Sequence, residues 1–110
     1  MALLPMYPGK VNSPVTELVS DIDEVQDTIE VSDGSALPDA PNIAVIGSGE
    51  DAETIQYGTK TGNVLSDVVR GFQGVAKAWS AGQKVARNFT AYDYDALRQN
   101  LNSHGSEHNH

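Results

Sequence analysis

Apolar residues along this chain fall in short clusters separated by turns rich in Gly, Pro, Ser and Asp, the spacing of a β-rich plan. Val15–Val19 and Thr28–Val31 are β-branched segments, and the second alternates with the period of a half-buried strand. Between them lies Asp21–Asp27, acidic and turn-prone, with one helical turn open at Ile22 and Val25. Asn42–Ile46 is an apolar run bounded by Pro41 and Gly47, which suits a buried strand. Glu53–Tyr57 alternates, with Ile55 on one face and Thr54 and Gln56 on the other, and Val64–Val69 returns beside it. The connections of this meander are expected at Gly47–Ala52 and Gly58–Asn63. Val75–Trp79 has room for a short helical turn, and Lys84–Phe89 resumes an extended segment.

The two ends of the chain read differently. Pro5, Pro8 and Gly9 exclude a helix near the start, so residues 1–12 are expected as an extended arm carrying Leu3, Leu4, Met6 and Tyr7. Such an arm either straps across its own domain or reaches a neighbouring subunit. Near the other end, Thr90 and Asp93 have the spacing of a helix N-cap and its reciprocal partner, which starts a helix at Ala91. Tyr94, Leu97 and Leu101 then share one helical face. Residues 103–110 are polar and expected as a disordered tail, leaving 13–102 as a single domain. The expected fold is mainly β: an antiparallel, sandwich-like domain with one C-terminal helix.

Charge removes several function classes. Fifteen acidic and seven basic residues leave a net charge of −8, with no basic stripe, so neither nucleic acid nor an anionic membrane surface is an expected partner. No apolar run approaches the length that spans a bilayer. Without cysteine there is no disulfide, thiolate metal site or cysteine nucleophile.

The remaining motifs carry little chemistry. Gly47–Glu53 resembles a phosphate loop or, through Glu50, Asp51 and Glu53, a calcium site. A strand follows it rather than a helix, and it lacks the ligand spacing of a dedicated calcium loop, so a solvated turn is expected. Asp21, Asp23, Glu24 and Asp27 read as an exposed acidic face rather than a glycosidase pair. His104, His108 and His110 are confined to the tail and cannot complete a hydrolytic triad. Phe72 and Trp79 are expected as core anchors. No catalytic, cofactor-binding or metal-ligating residue is expected, and the chain is read as a non-enzyme that works by binding.

One resemblance sharpens this. The blocks Leu37–Gly47, Glu50–Tyr57, Val69–Gly74, Ala78–Trp79 and Val85–Ala91, with Val11–Pro14 and Asp21–Asp23 before them, resemble a module in tail and baseplate proteins of bacteriophages of Gram-positive bacteria. The order of blocks over residues 11–95 is similar to the N-terminal shoulder domain of phage receptor-binding proteins. The resemblance implies a virion structural protein or adaptor that docks onto other tail or baseplate proteins, with homo-oligomers possible. Its location would be the virion tail, after assembly in the host cytoplasm. The sequence ends soon after the module, so a direct receptor-reading role is not expected. The expected partner-binding residues are Leu3, Leu4, Met6, Tyr7, Tyr94, Leu97 and Leu101. A second reading is a cell-wall carbohydrate-binding module for host adsorption, which needs three coplanar exposed rings among Tyr7, Tyr57, Phe72, Trp79, Tyr92 and Tyr94.

Overall fold

The computed structural model describes residues 5–10, 14–88 and 90–108, with residues 100–108 by backbone alone. The strands are β1 (Val15–Glu17), β2 (Ile29–Glu30), β3 (Asn42–Ile46), β4 (Glu53–Thr61), β5 (Val64–Gln73) and β6 (Lys84–Ala86). All pair antiparallel in one sheet of order β1-β6-β3-β4-β5-β2, which curls into a half-barrel. Among the described residues one α-helix, α1 (Ala91–His108), follows β6, and 3-10 turns lie at Gly34–Ala36 and Gly49–Asp51. The protein is therefore mainly β and antiparallel with a C-terminal helix, as its sequence pattern predicts. The sandwich-like plan is realised as one curled sheet.

Local sequence explains most of this sheet. β3 is buried at every position because it lies between β6 and β4, as its uninterrupted apolar run requires. In β4 the alternating positions Glu53, Ile55 and Tyr57 are all fully buried. The β4–β5 hairpin turns on Gly62 and Asn63, with Thr61 paired to Val64. Gly62 has φ +60° at the first central position, where a two-residue hairpin requires a residue free to adopt positive φ. The core cluster draws Leu18, Ile29, Ile46, Tyr57, Leu65 and Val85 from all six strands or their immediate extensions.

Four expectations need correction. Gly58–Thr61 is strand rather than loop, because the reversal takes only two residues. Val75–Trp79 forms no helical turn; Trp79 instead makes an antiparallel bridge to Ile22, which also keeps Ile22 and Val25 out of a helix. β6 stops at Ala86, short of Phe89, because Arg87 turns into a side-chain network described below. Finally, α1 continues to His108, through residues 103–108 that the sequence pattern assigns to a polar tail.

The two outermost strands of the sheet are tied to each other. Leu18 bridges Val31, the Val19 amide donates to the Glu30 carbonyl at 3.1 Å, and the Ser32 amide donates to the Glu17 carbonyl at 2.9 Å. The Asp33 amide adds a bond to Thr16 Oγ1 at 2.9 Å.

Candidate docking site where the arm meets the helix

The site is assembled around Arg87, which shares the inward parity of Val85 and leaves β6 buried, at 4% exposure. Its guanidinium makes a bidentate pair with Asp93: Nη1 to Oδ2 and Nη2 to Oδ1, both 2.7 Å. Nε donates to Asn42 Oδ1 at 2.7 Å and Nη2 to the Tyr7 carbonyl at 2.9 Å. The sheet, the helix and the arm therefore meet at one side chain.

Asp93 is also half of the expected capping box. The Thr90 amide donates to Asp93 Oδ2 at 2.9 Å, and the Asp93 amide donates to Thr90 Oγ1 at 3.1 Å. Burial pushes the Asp93 carboxyl up, but the Arg87 guanidinium and the Thr90 donors outweigh it and hold the group below the usual carboxylate range. The first turn is pinned again where the Tyr92 amide donates to Gln73 Oε1 at 2.9 Å. An 18-residue helix is about 27 Å long. Its far half thus extends from a foot fixed on the sheet, in keeping with overall dimensions of 54 × 25 × 23 Å.

The described part of the arm straps across its own domain. Gln56 Nε2 donates to the Tyr7 hydroxyl at 2.6 Å, Asn42 Nδ2 to the Pro8 carbonyl at 3.0 Å, and the Tyr92 hydroxyl to the Pro5 carbonyl. The Tyr7 ring lies 5.6 Å from that of Tyr92, which packs 5.0 Å from Phe72. Burial, with Tyr7 and Asp93 nearby, pushes the Tyr92 hydroxyl up, so it remains protonated and a donor at neutral pH. Beside the strap is a cleft of about 340 Å³ lined by Met6, Tyr7, Lys10, Arg87, Asp93 and Leu97.

Of the expected partner-binding residues, the structure brings Met6, Tyr7 and Leu97 together on this cleft. Tyr94 lies on the same helix and is 55% exposed, while Met6 is 54% and Leu97 41% exposed. The helix buries Asp93 and Ala96 instead, leaving Tyr94 and Leu97 facing out. Leu3 and Leu4 lie outside the described residues, as does the side chain of Leu101.

A second buried centre was not foreseen. Glu53, expected in a solvated acidic turn, is fully buried and accepts five hydrogen bonds. They come from Arg70 Nε (2.7 Å), Arg70 Nη2 (2.9 Å), Trp79 Nε1 (2.9 Å) and the amides of Gly71 (2.9 Å) and Lys77 (3.2 Å). Burial pushes its carboxyl up, and these donors more than reverse the effect. Arg70 in turn donates to the carbonyls of Asp23, Gln26 and Lys77, stapling two loops onto the sheet. The available signal was parity: Glu53 alternates with Ile55 and Tyr57 and so points inward. Gly47, read as part of a possible phosphate loop, has φ +82° and lies so close to the Trp79 ring that a Cβ would meet it at 2.7 Å. Its role is to admit that ring.

Among the six aromatic candidates for a sugar platform, Tyr7, Phe72 and Tyr92 cluster but are not coplanar. Tyr57 is fully buried, Phe72, Trp79 and Tyr92 are half-buried, and the Tyr7–Tyr92 and Phe72–Tyr92 planes are tilted by 36° and 59°. Among the described residues no helix is long and apolar enough to cross a membrane. No protein-family model, curated protein or solved structure matches the chain.

Proposed function

We propose that this chain is a structural adaptor of a bacteriophage virion, seated in the tail or baseplate and acting by docking onto other tail proteins. The docking part rests on one observation: Met6, Tyr94 and Leu97 stay exposed around the arm–helix junction of a chain whose net charge is −8. Burying an exposed side chain of this size contributes roughly 1.5–3 kcal/mol, whereas each rim charge contributes less and fades with salt. The tail assignment rests on the resemblance carried by residues 11–95, and the β-rich fold with one helix supports it.

The test is quantitative mass spectrometry of particles purified from the host that carries the gene. The expected result is the chain at fixed stoichiometry with tail proteins. Fully assembled, infectious particles that lack it would remove the virion reading. Tyr94→Asp places a charge on the exposed helix face; it should abolish incorporation while leaving the melting temperature within about 2 °C, since Tyr94 is 55% exposed and lies outside the cleft around Arg87.

A further inference from the structure

The strap of residues 5–9 is held by an unusual division of roles. In every described hydrogen bond between arm and domain, the domain donates and the arm accepts. Three of the acceptors are main-chain carbonyls, of Pro5, Tyr7 and Pro8, and the fourth is the Tyr7 hydroxyl. Pro5 and Pro8 have no amide hydrogen and a fixed φ, so the segment is extended before it binds and brings few donors of its own.

The receiving groove is set without the arm. Asn42 Oδ1 is taken by Arg87 Nε at 2.7 Å and by the Ile43 amide at 2.8 Å, which turns Nδ2 toward the arm. Arg87 is fixed by both oxygens of Asp93, and Tyr92 is backed by Phe72. Side-chain donors that read the carbonyls of positions 5, 7 and 8 of an extended, proline-bearing segment, beside aromatic rings, make up a peptide-recognition groove.

We propose that this groove is a binding site for an extended Pro-Met-Tyr-Pro segment, and that the arm of a second copy of the chain fills it in trans. The occupant seen here is the chain's own arm, so a second copy carries the same carbonyls, ring and prolines. Charge favours the same partner. Lys10 is the only charged side chain before Glu17, and the remaining six basic and fifteen acidic residues leave −9 on the rest of the molecule. Two copies repel face to face, whereas the arm approaches a neighbour without like charge. In cis the arm competes at an effective concentration in the millimolar range, so exchange is rare in dilute protein and dominant where copies are held side by side. This inference concerns the groove alone and stands whether or not the chain belongs to a virion.

The experiment uses the full chain carrying Tyr7→Ala, which weakens its own arm, titrated with a synthetic peptide of residues 1–10. The side-chain amide NMR signals of Asn42 and Gln56 should shift saturably, and wild-type protein should bind the peptide about tenfold more weakly because its own arm competes. Mixing labelled Tyr7→Ala protein with unlabelled wild type at rising concentration should move the same signals and add a dimer in sedimentation. The groove assignment is overturned if the peptide leaves both amides unmoved in folded protein, or binds wild type and variant equally. If the peptide binds but wild-type chains never exchange, a second copy is not the occupant. The double variant Pro5→Gly/Pro8→Gly loosens the arm without removing its ring, and is judged by the same outcomes should Tyr7→Ala not fold.

Discussion

Two buried guanidinium–carboxylate centres organise this protein, and they do different work. Glu53 and Arg70 face each other inside the sheet, with side-chain exposures of 0% and 6%, and every partner of the pair belongs to the β-rich body. Arg87 and Asp93 are nearly as buried, but their partners come from the sheet, the arm and the helix. The first centre holds loops that have nowhere else to go. The second joins two appendages to the sheet, each of which has only a few further polar ties to the rest of the molecule, and that makes them separable from the body. The same chemistry serves as keystone in one place and as clasp in the other.

Acid should produce the largest effect, since it attacks both centres together. Both carboxyls sit below their ordinary values. The stability they contribute is therefore complete above the unfolded values of about 4 and lost as pH falls through the lower folded values. Urea unfolding should give a plateau from about pH 7 to 5 and a steep loss below about 4. Protonating exposed carboxyls also relieves repulsion in a chain of charge −8, so Glu53→Gln is the control. Its deficit against wild type should shrink as pH falls; a deficit that stays constant to pH 2 would mean Glu53 is not held ionised.

At neutral pH, Glu53→Gln should cost about 3–5 kcal/mol, because Arg70 keeps its charge without the counterion, and the loss should appear in one cooperative transition of the whole sheet. Asp93→Asn should cost about 1.5–3 kcal/mol, with a different signature. Amide exchange should accelerate in residues 91–99 while β3 and β4 stay protected. Equal deprotection of sheet and helix in that variant would erase the distinction between keystone and clasp. Thr90→Ala should be the mildest, at about 1 kcal/mol and confined to the helix, since it removes one half of the capping box. A shift in the sheet's urea midpoint as large as that of Asp93→Asn would show that the cap is not local.

How much of this was legible in the chain depended on whether its cause was local. β3 has the bounds that its apolar run between Pro41 and Gly47 announces. The Thr90–Asp93 pair acts at the spacing where a capping box acts. The full length of β4 is hidden in the sequence because Gly58, Thr59 and Thr61 have loop-like composition, although Gly62 and Asn63 suffice for the turn. The sequence around Trp79 reads as a helical turn because the pairing of Trp79 with Ile22 depends on distant residues and leaves no periodic trace. In the site, Met6, Tyr7 and Leu97 stood out as apolar residues without an evident home. Asn42, Gln56 and Arg87 did not, because reading an arm's carbonyls requires three separate elements to converge.

The contact between the first two strands has a consequence for bulk behaviour. An unpaired strand edge is a template on which foreign strands can add repeatedly, and that is how soluble β-proteins become fibrils. Here the amides of Val19, Ser32 and Asp33 are spent on Glu30, Glu17 and Thr16 across the gap, so the outermost strands of the sheet occupy one another. Chains concentrated many-fold then stay discrete, countable units instead of seeding an endless ribbon. Growth must pass through the side-chain surfaces and the arm, where it can be metered copy by copy.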